Sequence, residues 1–175
     1  MTTFIGFAFY IAAAVAVIST IMAITRLVAV HALLYLIVSL LAVAVVFYTM
    51  GAPLVAALEV IIYAGAIMVL FVFVVMMLNL GTQARETERQ WLAGGAWIGP
   101  VILSALLLLE VIYLIARVGP YSNMGGVADP KQIGIALYGP YLVGVELSSM
   151  LLLGALVGAC HLGRRPAPTR KEVRQ

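Results

Sequence analysis

Read for polarity alone, the chain is five long apolar runs parted by short polar interruptions. The first extends from about Thr3 to Thr25, where Arg26 stops it, and the second from about His31 to Tyr48. Met50-Gly51-Ala52-Pro53 then reads as a tight turn, with Pro53 suited to the first turn of the next helix. The third run covers Leu54 to Leu80, the fourth Trp97 to Arg117 with Pro100 in its opening turn, and the fifth Tyr141 to Leu162. Crossing a bilayer takes roughly 20 helical residues, a length these runs meet or approach. Between them, "GTQARETERQWLAGG" is a short charged loop, and "GPYSNMGGVADPKQIGIALYGP", rich in Gly and Pro, is read as a loop whose later part lies along the interface. No internal repeat of the kind that marks secondary transporters is visible. The pattern predicts an all-α integral membrane protein of five transmembrane helices. One membrane domain covers residues 1–163, and a flexible basic cytoplasmic tail covers 164–175.

Composition strengthens this reading. Hydrophobic residues make up 65% of the 175 and charged residues 10%, with a mean hydropathy of +1.16; a soluble domain has about 45–50% and 25%. The net charge of +3 comes mostly from the tail, so it reports topology rather than nucleic-acid binding. With the N-terminus outside, Arg26, Arg85, Arg89, Arg164, Arg165, Arg170, Lys171 and Arg174 face the cytoplasm, against Arg117 and Lys131 outside. That bias predicts N-out, C-in. Trp91, Trp97, Tyr121 and Tyr138 sit near span ends, where interfacial aromatics belong. The N-terminal run lacks a basic leader region and is longer than a signal-peptide core, so it reads as a retained span.

Three carboxylates interrupt the spans: Glu59, Glu110 and Glu146. A charge at the centre of a span costs about 2.5–3.5 kcal/mol on insertion scales, which makes each a functional candidate. On an ideal helix Tyr63, Ala66, Leu70 and Met77 share the face of Glu59, so the Tyr63 hydroxyl can approach the carboxylate or share a water with it. The competing reading is a glutamate that only hydrogen-bonds a neighbouring helix. Gly65, within Tyr63-Ala64-Gly65-Ala66, is the least buttressed point of its span and tolerates a kink or a π-bulge. The residues by themselves favour close helix packing there. Glu110 lies two turns before Arg117, toward which it can snorkel, and reads as a supporting residue. Glu146 is as well explained by a subunit-interface hydrogen bond as by a proton path, and Gly154 and Gly158 mark a packing seam on its helix.

No metal, haem, dinucleotide, phosphate-loop or nucleophile motif is present, and the lone Cys160 makes neither a disulfide nor an iron–sulfur ligand set. His31 and His161 read as ordinary interfacial histidines. The chain carries no electron-transfer or covalent chemistry of its own.

The stretches "VHALLYLIVSLLAVAVVF", "LEVIIYAGAIMVLFVFVVMMLNL" and "LYGPYLVGVELSSMLLL" closely resemble the chain 6 (subunit J) family of proton-pumping NADH:quinone oxidoreductase, respiratory complex I, of bacterial type. The likeness covers about Phe7 to Gly163. It implies a membrane-arm subunit without a redox centre, in a complex that uses NADH, FMN, iron–sulfur clusters and quinone in other subunits. It also implies a bacterial inner (cytoplasmic) membrane location and contacts with small subunit K and with subunits A, H and N. By the same resemblance the third helix carries a π-bulge at Tyr63, Ala64, Gly65 and Ala66, with Leu70 beyond it. Glu59 then faces a run of buried carboxylates, and α/π conversion gates the water path that couples quinone reduction to proton movement. Relatives often read Asn-Pro-Val-His where this chain has Ala29-Val30-His31 after Val28, and no acidic position of the family corresponds to Glu110. Three alternatives remain: a purely structural subunit of the same arm, the equivalent subunit of a membrane hydrogenase or of a ferredoxin- or F420-linked complex, and, last, a free-standing transporter.

The charge bias is open to a direct check. A label on the C-terminal tail is expected to react with a membrane-impermeant reagent from the cytoplasmic side only; labelling from the outside would overturn the orientation.

Overall fold

A hydrocarbon solvent offers no hydrogen bonds, so every backbone N–H and C=O in a span must pair inside its own segment, and a single chain of this size does so with helices. The computed structural model describes residues 2–26, 29–78, 97–118 and 127–164. They form α1 (Thr2–Thr25), α2 (Ala29–Thr49), α3 (53–78), α4 (Ile98–Val118), a short α5 (Pro130–Tyr138) and α6 (Leu142–Gly163). All but α5 are long and apolar enough to cross a membrane. The charged loop before α4, Tyr121 and the tail beyond Arg164 lie outside the described residues. The chain divides into two compact units, Met1–Ala128 and Asp129–Gln175.

In the first unit, α1, α2 and α4 pack around one seam. Ala8, Ala12 and Val15 of α1 meet Val38, Ala42 and Val45 of α2, together with Leu107 and Leu114 of α4. Lipid tails are as apolar as leucine, so burial alone does not draw these helices together; small side chains let the backbones approach and collect dispersion contacts. One polar clasp adds to this. The Thr20 and Ser39 hydroxyls lie 2.7 Å apart, and both reach the Ala16 carbonyl, at 2.8 and 3.1 Å. Interhelical hydrogen bonds of this kind average about 0.6 kcal/mol, so the clasp sets register more than stability.

Toward the C-terminal end of α1, Arg26 lies over the Tyr35 ring, 5.3 Å from its centroid, and donates to its hydroxyl at 3.4 Å. The same tyrosine lies against the start of α4, where a Cβ on Gly99 would collide with the Tyr35 hydroxyl. His31 is buried and meets the edge of Trp97, ring centroids 6.4 Å apart. A glycine and two aromatic residues thus fix where α4 begins against α2.

The α2–α3 turn ends one helix and starts the next without orphaning its backbone. Gly51 takes φ 83°, the left-handed conformation glycine adopts freely. Ala52 N–H donates to the Phe47 carbonyl at 3.0 Å and Gly51 N–H to Tyr48 at 3.1 Å, the paired bonds of a Schellman cap. Pro53, which has no N–H to lose, opens α3.

In the second unit, the segment expected to be loop contains a nine-residue helix, α5. Asp129 caps it by accepting from Lys131 N–H at 3.3 Å, and Pro130 takes the first helical position. That Asp-Pro pair was the signal, masked by the surrounding glycines. After the Gly139-Pro140 turn, α6 contains no buried residue, and a Cβ on Gly154 or Gly158 would meet nothing within 4 Å. Both glycines therefore have open space beside them on α6.

Gly99→Ala is expected to cost about 1–3 kcal/mol through overpacking against Tyr35, read as a lower melting temperature of the purified protein. Tyr35→Phe in the same chain should recover part of the loss. An unchanged melting temperature for Gly99→Ala would show that α4 moves aside freely.

Candidate functional site

The third helix changes its hydrogen-bond register at the carboxylate. Through Leu58 it is α-helical, and Glu59 N–H still reaches the Val55 carbonyl, four residues back, shared with Ala56. Glu59–Ile67 is then a nine-residue π-helix, and Met68 N–H reaches Tyr63, five residues back, as well as Gly65. Met68–Leu78 returns to the α form. The π segment therefore contains the expected Tyr63, Ala64, Gly65 and Ala66 but is wider, and Glu59 is its first residue.

Its sequence suits that geometry. A π-helix draws each carbonyl toward the residue five ahead, and a Cβ on Gly65 would stand 3.1 Å from the Val60 carbonyl oxygen. Glycine relieves this crowding at position 65. Nearly all of the segment's side chains point away from the rest of the chain: Ile61, Ile62, Tyr63 and Ile67 are exposed, and no residue of the segment is buried. Met68, 2% exposed, anchors the end where the α form resumes.

The changed register breaks the face expected for Glu59. An ideal α-helix stacks Tyr63 four residues above it, but that stacking fails across a π turn. Tyr63 is 50% exposed, Leu70 and Met77 also point outward, and no hydrogen bond from the described residues reaches the partly exposed Glu59 carboxylate. Glu59 and Tyr63 share the π segment without touching through a hydrogen bond.

A cavity of about 470 Å³ opens between α2, the start of α3 and α4; Val60, next to Glu59 in sequence, lines it, and Glu59 does not. Ala56, Ala57 and Val60 form one wall, Val38 and Val45 a second, and Leu107 and Val111 a third. The polar side chains on it are Tyr48 and Ser104, whose hydroxyl donates to the Val101 carbonyl at 3.1 Å.

The other two carboxylates occupy opposite environments. Glu110 does not snorkel; it is 8% exposed, in the helical stripe with Leu107 and Leu114 that packs on α1 and α2, and neither carboxyl oxygen has a hydrogen-bond partner. Glu146, in the second unit, is exposed on α6, where Ser149 Oγ donates to its backbone carbonyl at 2.7 Å. Ser19, wholly buried with an unpartnered hydroxyl, was not signalled by any motif. Among the described residues no group of three or more His, Cys, Asp or Glu side chains is placed to hold a metal ion.

These features define a polytopic helical membrane protein whose distinctive chemistry is intramembrane carboxyl groups and one register-shifted helix. Residues 19–162 match the NADH-ubiquinone/plastoquinone oxidoreductase chain 6 family, and the chain belongs to it. It is 58% identical over 162 residues to NADH-quinone oxidoreductase subunit J of Pseudomonas aeruginosa, covering 92% of this chain and 98% of that one. It is 56% identical over 158 residues to the subunit J of Escherichia coli K12, covering 90% and 86%. With the subunit J of Buchnera aphidicola from Acyrthosiphon pisum it shares 50% over 167 residues, covering 95% and 98%.

Gly65→Ala should lower the melting temperature of the purified protein, by the equivalent of about 1–3 kcal/mol, because its methyl crowds the Val60 carbonyl. Gly144→Ala, whose methyl meets nothing within 4 Å, should leave it unchanged or raise it. Equal effects would show that the π segment accommodates a side chain without strain.

Proposed function

We propose that this chain is a non-redox membrane-arm subunit of a proton-translocating NADH:quinone oxidoreductase, and that α3 gates a proton path beginning at Glu59. The observation that carries the reading is the placement of Glu59 at the first residue of the Glu59–Ile67 π-helix. Converting that segment to the α form shortens each bond from five residues to four and rotates everything beyond it relative to Glu59. Tyr63 and Leu70 turn with it, while the backbone stays hydrogen-bonded in both forms, as hydrocarbon demands. The side chains beyond the segment's start, Tyr63 and Leu70 among them, are thereby turned toward or away from the Glu59 carboxylate.

In this reading NADH, FMN, the iron–sulfur clusters and quinone are bound by other subunits, and the complex sits in a bacterial inner membrane with this chain N-out and C-in. Small subunit K and subunits A, H and N are its neighbours, and the uncovered π segment and α6 are surfaces for them to cover. Glu146 and the Gly154 and Gly158 seam on α6 belong to such a contact, with Glu146 a further member of the proton path. A purely structural subunit and the equivalent subunit of a hydrogenase or of a ferredoxin- or F420-linked complex are the competing readings.

Glu59→Gln keeps the side chain's shape and removes its proton chemistry. In vesicles the assembled complex is expected to lose most of its proton pumping and coupled quinone reduction. Normal pumping and turnover would remove Glu59 from the path and favour the structural reading. Oxidation of NADH by the purified complex separates the hydrogenase, ferredoxin and F420 alternatives from this one.

A further inference from the structure

Glu110 is the buried titratable group that the reading above leaves unused. It lies about 18 Å along α4 from Ile98 and about 12 Å from Val118, at 1.5 Å per residue, well inside the span. Leu107 and Leu114, which bracket it on the same face, pack into the cluster formed by Ala8, Ala12, Val15, Val38, Ala42 and Val45. Those faces offer no cation and no titratable side chain. On α1, Tyr10 points outward and Arg26 lies beyond the helix end on Tyr35. On α2, His31 and Tyr35 stand near the first turns and Tyr48 near the last; on α3, Glu59 is not a lining residue of the cavity.

Both carboxyl oxygens are buried without a partner, although an aliphatic side chain would fill the place without a desolvation cost. Leu107 and Leu114, which flank Glu110, pack against α1 and α2 of this same chain, and no described side chain bonds its carboxyl oxygens; a proton and water are the species small enough to enter such a seam. Water needs polar partners to stay, and an apolar cavity supplies few. The α4 wall of the 470 Å³ cavity includes Leu107, Val111 and Leu114, the helical neighbours of Glu110. Glu110 itself does not line it, so water from the cavity has to pass between these side chains to reach the carboxyl.

We propose that Glu110 is a second intramembrane proton-binding site of this chain, exchanging its proton with water that enters through the cavity between α2, α3 and α4. It is independent of Glu59 gating: the site requires only the seam and the cavity. The proton resides on a carboxyl oxygen, water accepts its hydrogen bond, and exchange replaces one proton by another with no net change of charge.

Infrared difference spectroscopy of the assembled wild-type complex on transfer from H2O to D2O tests it. The expected result is the carbonyl band of an undissociated carboxylic acid that shifts on deuteration and is missing from Glu110→Gln. Glu110→Val, an apolar replacement that the seam should accept, is expected to lack the same band and still assemble. Ala57→Leu, which adds bulk on the cavity wall away from the seam, should keep the band and slow its exchange severalfold. A wild-type band that persists in both Glu110 variants, or one that does not exchange, overturns the proposal. Exchange at the wild-type rate in Ala57→Leu overturns the cavity as its route. Failure of both Glu110 variants to assemble also overturns it, since the carboxyl would then serve packing.

Discussion

Backbone hydrogen bonding in a solvent that offers none is the constraint on which the rest of this molecule depends. It explains the Schellman cap at Gly51 and the proline that opens α3. It also explains where the hydroxyls go: Thr25, Ser104 and Ser148 all donate to carbonyls three or four residues back in their own helices. Serine and threonine can be satisfied without leaving their helix. A glutamate within a span has no such local solution, and the unusual chemistry of this chain therefore concentrates on Glu59, Glu110 and Glu146.

The π segment is compatible with the same constraint because it re-pairs the backbone instead of breaking it. Replacing a four-residue register by a five-residue one leaves N–H and C=O groups bonded at both ends of the segment, as at Glu59 and Met68. The penalty is steric, and it falls on Gly65 beneath the Val60 carbonyl. Small residues perform related work elsewhere: Ala8, Ala12 and Ala42 let α1 and α2 approach, and Gly99 lets α4 meet Tyr35. In each case the absent side chain lets backbones approach, because in lipid close contact must replace the hydrophobic drive.

Much of the architecture was legible because hydrocarbon thickness imposes a length and an apolar composition on every span, and both are written directly in the residues. The shift of register near Gly65 was legible only through family resemblance; on its own, a small-residue patch equally signals packing. Its true extent was not, since a start at Glu59 depends on which carbonyl each N–H selects. The helix at Pro130–Tyr138 was missed because its Asp-Pro cap lies among loop-forming glycines. Glu110 was recognised as a costly residue and given the wrong surroundings. Spacing placed Arg117 on its face, but the packing of α4 against α1 and α2 turned the carboxyl into the seam.

By itself the sequence determined that this protein lives in a bilayer, how many times its helices can cross, and which side chains are too polar to be there by accident. Those properties follow from local composition and the price of desolvation. Only the tertiary structure decided which carboxyl is buried by its own chain and which is left uncovered, and where the cavity lies between α2, α3 and α4. Burial and voids arise from which helix faces meet, and that choice depends on contacts between residues far apart in the chain.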